Sequence, residues 1–122
     1  MSTRTSLIDA FLAGDADAAV ALLAGDARFH SPVRSYRGIE KIEPLWRLIG
    51  GIIEDVRLAG LLEGDGETAG FFQGTVGGKA IDGVLRVRAP QGGPVTDVTL
   101  MLRPYGPLKA AIGEMARRLE AA

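Results

Sequence analysis

The second half of the chain alternates apolar with other residues at a period of two, and this pattern most constrains the fold. The alternating runs cover about residues 54–62, 67–76, 79–89 and 95–103. Glycine-containing separators lie between them, with proline added before the last run. A period of two is typical of strands buried on one face, and short glycine-rich separators favour hairpins. The sequence therefore predicts four antiparallel strands in a meander.

The first half shows a helical period instead. Apolar residues between positions 6 and 24 follow helical spacing, which is interrupted at Ala13-Gly14-Asp15. Glycine is the usual residue after a helix C-terminus, and aspartate is a favoured N-cap residue. We therefore expect two short helices that meet at this interruption, followed by a second stop at Gly25-Asp26.

Prolines mark the boundaries of the remaining elements. A short strand is predicted over residues 27–31, because Pro32 has no N–H to donate to a sheet ladder. Residues 38–49 return to helical spacing, with Pro44 at an early-turn or kink position. A closing helix begun by Pro107 is predicted from an apolar stripe of Leu108, Ile112, Met115 and Leu119.

Length and composition exclude several classes of function. The 122 residues suffice for one domain, which we place at residues 1–122. The 14 basic and 15 acidic residues give a net charge of −1, so we expect no nucleic-acid partner. With no cysteine and one histidine, the chain has no means of building a disulfide framework, a thiolate zinc site or a two-histidine metal site. Metal chemistry therefore either rests on carboxylates or is absent, and we expect neither a metal nor a cofactor.

The sequence also bears on location. The longest apolar stretch, residues 48–53, is far shorter than the roughly 20 residues of a membrane-spanning helix. Residues 16–24 are apolar enough for a signal peptide, but acidic residues interrupt the approach to them. We therefore expect a cytoplasmic protein without membrane contact.

The predicted order of helix, helix, short strand, helix and meander is an α+β arrangement with helices on one face of a curved sheet. Three segments carry a resemblance: Ala13-Gly14-Asp15, residues 29–33 with Tyr36-Arg37-Gly38, and residues 95–104 ending in Leu102-Arg103-Pro104. The chain resembles the nuclear transport factor 2-like superfamily, which includes ketosteroid isomerases and SnoaL-like polyketide cyclases. The Arg-Pro ending with a following helix is most similar to uncharacterised bacterial SnoaL-like proteins.

The resemblance implies a cone-shaped, curved antiparallel sheet wrapped on the N-terminal helices, with a C-terminal helix and a conical cavity. It does not carry over the isomerase chemistry. Ketosteroid isomerases use an aspartate before a proline as general base, and the matching residue here is Ser31. Their oxyanion hole uses a tyrosine and a protonated aspartate, and the matching residues here are Leu7 and Gly83. A serine without an adjacent base does not abstract a carbon-bound proton near neutral pH.

Strand parity predicts which side chains face the helices. The inner face is expected to hold Val56, Leu58, Leu62, Phe72, Ile81, Leu85, Val87, Val98, Leu100 and Leu102. The opposite parity places on the outer face Val84, Arg86, Thr99, Met101 and Arg103. Because this mixed surface has enough apolar content to be covered by a partner, we expect a homodimer through the outer sheet face, as the resemblance also implies.

A ligand-binding cavity is expected inside the cone. Its lining is predicted to be Phe11, Phe29, Ser31, Trp46, Phe72, Leu85 and Leu100. Glycines 70, 74 and 83 share the inward parity, and we interpret them as leaving space, with sheet curvature as the competing explanation. The aromatic residues either line this cavity or fill a core. The C-terminal helix is expected to cover the opening.

Other polar groups have two interpretations each. His30 and Ser31 are adjacent on a predicted strand and so face opposite sides. This placement disfavours the interpretation that His30 is the base of a Ser31 nucleophile and favours a histidine at a strand edge. Arg86, Arg88 and Arg103 either form ion pairs or bind an anion. Tyr36 is either a residue at the cavity mouth or part of a plain loop.

Three hypotheses of function follow. The first is binding of a small apolar molecule in a conical pocket without the isomerase catalytic residues. The alternative is an isomerase, cyclase or hydrolase that acts on a small hydrophobic substrate through relocated groups such as His30, Ser31 or Tyr36. The third is an interaction module that dimerises through the outer sheet face.

Overall fold

The computed structural model describes residues 2–90 and 92–121, so Gln91 of the predicted last turn lies outside them. The elements in chain order are α1 (Thr3–Ala13), α2 (Ala16–Ala21), β1 (Leu23–His30), β2 (Ser35–Arg37), α3 (Ile39–Ile52), β3 (Glu54–Glu63), β4 (Glu67–Val76), β5 (Lys79–Arg88), β6 (Val95–Arg103) and α4 (Tyr105–Ala121).

The break between the first two helices has the predicted caps. Gly14 ends α1 with a left-handed backbone (φ +70°), and its N–H bonds back into the last turn of the helix. The Asp15 side chain then accepts a hydrogen bond from the Ala18 N–H at 3.0 Å and begins α2. The prediction of two helices meeting at this point is confirmed.

The strands form one unclosed six-stranded sheet in the order β2-β1-β6-β5-β4-β3. Strands β3 to β6 pair antiparallel with their sequence neighbours, which confirms the predicted meander. Strand β1 pairs parallel with β6 and antiparallel with β2. The sheet is therefore mixed and not antiparallel throughout as expected, because β1 joins it beside β6 in the parallel direction. With the helices on its inner face, it gives the expected nuclear transport factor 2-like α+β fold.

Two features of the β1 region differ from the prediction. Strand β1 begins at Leu23 and runs through Gly25 and Asp26, where the sequence predicts a stop. Its ladder with β6 shifts register between Leu23 and Arg28, so a bulge absorbs the turn-forming residues. The three residues of β2 are too few to show a period, and only their pairing with β1 makes them a strand.

Most of the predicted inner face is buried, and β3 is the exception. Phe72, Ile81, Leu85, Val87, Val98 and Leu100 lie in the core, and Val56 and Leu102 pack against it. Leu58 and Leu62, in contrast, are 46% and 64% exposed. The register of β3 shifts between Leu58 and Gly60, so that Leu61, not Leu62, lies opposite inward-facing Gly70. The predicted inward position of Leu62 is therefore wrong, and Leu58 lies on an edge strand.

The interpretation of the inward glycines as empty space is also wrong. A Cβ on Gly83 would overlap the Phe72 ring, and one on Gly74 would lie 2.8 Å from the Glu54 carbonyl oxygen. A Cβ on Gly70 would lie 3.1 Å from Cγ2 of Ile8. These glycines admit neighbouring groups into close packing, which is the usual role of glycine inside a sheet.

Helix α4 returns across the inner side of the molecule. It starts at Tyr105, two residues before the predicted Pro107, and buries Pro107 and Ala111. Its Glu114 carboxylate pairs with Arg117 and Arg118 of the same helix. Hydrogen bonds from Arg117 and then Arg118 lower the pKa of Glu114 to about 2. Among the helices of the described residues, none is long and apolar enough to cross a membrane.

Candidate functional site

A cavity of about 90 Å³ lies between the inner face of the sheet and the helices α3 and α4. The sheet and the loop after β1 contribute Phe29, Ser31, Pro32, Val33, Tyr36, Leu100 and Leu102. Helix α3 and the residue after it contribute Leu45, Ile49, Ile52 and Ile53. Helix α4 contributes Leu108, Ala111, Ile112 and Met115.

The lining is apolar almost throughout. Only Ser31 and Tyr36 among these side chains carry an oxygen, and none carries a nitrogen or an ionisable acid other than the phenol. Val33 and Ile112 are 56% and 38% exposed, so the cavity reaches the surface between the loop after β1 and helix α4. A carbon-lined cavity of this kind favours apolar ligands.

The predicted site residues divide into two groups. Phe29, Ser31 and Leu100 line the cavity, whereas Phe11, Trp46, Phe72 and Leu85 do not. The aromatic members of the second group form an edge-to-face cluster with centroid distances of 5.9 Å for Phe11–Trp46 and 4.9 Å for Phe11–Phe72. Trp46 also lies edge-on to Phe29, with a centroid distance of 5.6 Å. The cluster lies in the core, and Phe11 and Trp46 also line a separate space of about 90 Å³ between α1 and α3.

The sequence predicts only part of the helix side of the cavity. The apolar stripe of the C-terminal helix is predicted to cover the opening, and Leu108, Ile112 and Met115 of that stripe do line the cavity. The lining residues Leu45 and Ile49 belong to the helical stripe of α3, which indicates a buried face. A stripe shows which face is buried but not whether a void adjoins it.

Tyr36 lies at the cavity and not in a plain loop. It occupies the middle of β2, directly opposite Phe29 in the ladder. The two rings are stacked, with centroids 6.4 Å apart and planes inclined by 22°. The stacking fixes the Tyr36 ring against Phe29, which is itself a lining residue.

The Ser31 hydroxyl makes its hydrogen bonds within the loop after β1. It donates to the Arg34 carbonyl at 2.9 Å and accepts from the N–H groups of Val33 and Arg34, both at 3.2 Å. A serine hydroxyl has one hydrogen to donate. Ser31 therefore shapes the loop after β1 and has no donor left for a ligand.

Apolar groups occupy the other two positions that match isomerase residues. Leu7 of α1 is fully buried in the hydrophobic core. The space beside Gly83 is taken by the Phe72 ring and the Leu102 side chain. No acid therefore occurs at these positions to polarise a carbonyl group.

His30 belongs to a different surface. Its Nδ1 lies 2.6 Å from Ser35 Oγ, and its Nε2 lies 3.3 Å from Asp97 Oδ2. Because Phe29 faces inward, His30 faces outward on the same strand, away from the cavity. The histidine thus pairs with Ser35 of β2 and not with its neighbour Ser31.

Two of the three outer arginines form cross-strand ion pairs. Arg86 binds Glu67 through two hydrogen bonds of 2.8 and 3.1 Å, and Arg103 binds Asp82 at 3.0 Å. The hydrogen bond from Arg86 is the main cause that lowers the pKa of Glu67. In residues 2–90 and 92–121, no group of three or more acidic or histidine side chains is arranged to hold a metal ion.

Comparison with protein families gives one match. A family model described as a SnoaL-like domain matches residues 5–101. Among curated proteins, none matches the chain in sequence.

Several solved structures are similar in fold. An uncharacterised protein with a cystatin-like fold from Silicibacter pomeroyi is 25% identical, with a TM-score of 0.89 over 97% of this chain and 85% of that chain. A steroid delta-isomerase from Pseudomonas aeruginosa is 25% identical, with a TM-score of 0.88 over 98% and 90% of the two chains. A protein of unknown function from Cytophaga hutchinsonii is 18% identical, with a TM-score of 0.70 over 89% and 96%.

Proposed function

The chain belongs to the SnoaL-like domain family, and from this premise we propose that it binds a small, neutral, mainly apolar molecule in the cavity between the sheet, α3 and α4. The carbon lining of that cavity is the observation that carries the proposal. A charged ligand would enter without a partner for its charge, which is costly in an apolar site.

The size of the cavity favours a ligand of about one ring. An engineered apolar cavity of about 150 Å³ holds benzene. The space here is about 90 Å³ and reaches the surface beside Val33 and Ile112, which gives room for part of a ligand at the mouth. Movement of α4, which contacts the bulk of the sheet through few buried residues, would admit the ligand.

The name of the similar steroid delta-isomerase raises catalysis as a possibility for this chain. The residues at the three matched positions weigh against it, because Leu7, Ser31 and Gly83 supply neither a general base nor an acidic donor. We therefore propose binding without isomerisation.

We also propose that two copies associate through the outer sheet face. Phe71, Val84 and Met101 lie directly opposite one another on β4, β5 and β6 and form a continuous apolar patch. Met101 is 50% exposed. The ion pairs Arg86–Glu67 and Arg103–Asp82 lie on either side of the patch. An apolar centre with a polar rim is typical of protein interfaces.

Titration of the ¹⁵N-labelled protein with benzene tests the binding proposal. We expect saturable shift changes at the lining residues, accompanied by a change in fluorescence of Trp46, the only tryptophan, through its contact with Phe29. Ala111→Leu adds three carbon atoms at the cavity wall and should weaken binding by at least about tenfold, the lower end of the effect of a single methylene in an apolar site. Ala110→Leu, on the exposed side of α4, is the matched control. Absence of saturable shifts in the wild-type protein would contradict the proposal.

A further inference from the structure

We propose that Tyr36 sets the specificity of the cavity by donating a hydrogen bond from its phenol to a neutral oxygen acceptor of the ligand. The ligand class is then a small cyclic molecule with one carbonyl or ether oxygen and an otherwise hydrocarbon surface. This inference rests on the proposed function, because it requires that the cavity bind a small molecule.

The assignment to Tyr36 follows from the polar atoms of the lining. Only Ser31 and Tyr36 carry a side-chain oxygen there. The single hydroxyl hydrogen of Ser31 is donated to the Arg34 carbonyl, and its oxygen accepts from two backbone N–H groups. To donate to a ligand, Ser31 would have to give up its hydrogen bond to the Arg34 carbonyl within the loop. Tyr36 is therefore the lining residue left with a donor.

The Tyr36 hydroxyl has no partner within the described part of the chain. The side-chain hydrogen bonds of residues 30–37 involve His30, Ser31 and Ser35, and none reaches Tyr36 Oη. No fully buried side-chain oxygen or nitrogen among the described residues lacks a partner. The Tyr36 oxygen is therefore not enclosed by protein, and water or a ligand has access to it.

The phenol is held in place before any ligand arrives. Its backbone pairs with Phe29 in the β1–β2 ladder, and its ring stacks on the Phe29 ring. A donor fixed by strand pairing and ring stacking loses little side-chain entropy on binding. This pre-organisation suits a residue that selects among ligands of equal shape.

The expected preference follows from what each ligand offers the phenol. A ligand with an oxygen acceptor gives Oη a hydrogen bond in the complex, whereas a hydrocarbon of the same shape that covers Oη leaves the hydroxyl without a partner. Such sites discriminate against the analogue that lacks the polar atom. The lining holds no carboxylate, imidazole or cation, so a charged head group has no counter-charge.

Two probes of matched shape test the inference. Cyclohexanone carries a carbonyl oxygen, and methylenecyclohexane replaces it with a CH₂ group. Affinities from NMR titration should favour cyclohexanone by about fivefold in the wild-type protein, the factor of a typical neutral hydrogen bond. Tyr36→Phe keeps the stacked ring and should remove the preference. Tyr105→Phe removes the other tyrosine hydroxyl, outside the cavity lining, and should retain it.

A second measurement does not depend on a folded variant. With tyrosine labelled at ¹³Cζ, the protein has two signals. Cyclohexanone should shift the Tyr36 signal, and methylenecyclohexane should shift it less, because only the ketone bonds to the hydroxyl. The Tyr105 signal should respond to neither probe.

The outcomes separate the two proposals. Equal binding of both probes to the wild-type protein, or a preference that survives Tyr36→Phe, would overturn the role of Tyr36 and leave the apolar site intact. If benzene binds the wild-type protein but neither probe does, the ligand class assigned through Tyr36 is wrong. If none of the three binds, the proposed function fails, and the inference fails with it.

Discussion

At the residue scale, the packing around Gly83 explains why no acid stands at that position. It occupies the position where the resemblance to ketosteroid isomerases implies an acid, and the Phe72 ring lies in the space that a side chain would need. Phe72 in turn contacts Phe11 within the aromatic cluster. The missing side chain therefore belongs to the packing of the core and leaves no gap in which an acid could act.

Gly83→Ala should destabilise the protein by about 1–3 kcal/mol, the usual cost of adding a methyl group to a filled core. Its new Cβ would overlap the Phe72 ring and lie 2.9 Å from Cδ2 of Leu102. Gly113→Ala is the control, because that position lies in α4 with open space around it. It should stabilise by about 0.5–1 kcal/mol through helix propensity. Urea unfolding measures the free energy of unfolding of both variants. A Gly83→Ala variant as stable as the wild type would contradict the close packing of Phe72 and Leu102 against Gly83.

Isomerase activity gives a second prediction at this scale. With Ser31 at the position of the general base, the protein should not shift the double bond of a 3-ketosteroid above the background rate. Loss of a general base alone typically costs about 10² to 10⁴ in rate. Absorbance of the conjugated ketone measures the reaction. A rate comparable to that of the Pseudomonas aeruginosa isomerase, assayed in parallel, would show that other groups perform the chemistry.

At the scale of elements, α4 buries only Pro107 and Ala111 and carries an ion-pair cluster of its own around Glu114. Glu114 receives hydrogen bonds from Arg117 and from Arg118, the latter at 2.8 Å. Arg118 also extends to Gly51 of α3, where a Cβ would lie 2.9 Å from its Nη1. Glu114 thus orients an arginine that crosses from the covering helix to α3, beside the cavity that Met115 lines.

The depressed pKa of Glu114 predicts how this contribution depends on pH. Above about 4.5 the carboxylate is charged in both the folded and the unfolded chain, and its stabilisation is fully present. As the pH falls from about 4.5 to about 2, the unfolded chain takes up the proton first, so the stabilisation is progressively lost. The gap in melting temperature between wild type and Glu114→Gln should therefore shrink over this range.

Glu120→Gln is the control for this experiment. Glu120 lies near the end of the same helix and makes no ion pair with another described residue. Its variant should show no loss of this kind. A gap for Glu114→Gln that stays constant from pH 7 to pH 2 would argue against the ion pair.

At the scale of the whole molecule, the sheet separates two surfaces. The inner face carries the core and the cavity, and the outer face carries the apolar patch of Phe71, Val84 and Met101 between its ion pairs. Arg86 and Met101 follow the predicted outward parity. Ligand binding and self-association, as proposed, would therefore occur on opposite sides of one sheet.

The proposed dimer predicts that Met101→Glu yields a monomer at concentrations where the wild type sediments as a dimer. A carboxylate at the centre of an apolar interface is desolvated without a partner. Ala110→Glu adds the same charge on the exposed side of α4 and should leave the dimer intact. Sedimentation velocity at micromolar concentration distinguishes these states, and a wild-type monomer would contradict the outer face as an interface.

The sequence by itself determined the elements whose signals are local. Alternation located β3 to β6 within one residue of their observed ends, because a strand buried on one face must repeat every two residues. The cap residues Gly14 and Asp15 located the break between α1 and α2, because their preferences depend on their own backbone.

Only the tertiary structure decided what depends on contacts between distant segments. Pairing with β6 allows β1 to continue through the turn-forming pair Gly25-Asp26. The register shift in β3 places Leu61 on the inner face, where alternation predicts Leu62. The cavity lies between the sheet, α3 and α4, whereas Phe11, Trp46 and Phe72 pack edge to face in the core. Voids and registers arise from how elements fit together, and the spacing of residues along one element does not contain that information.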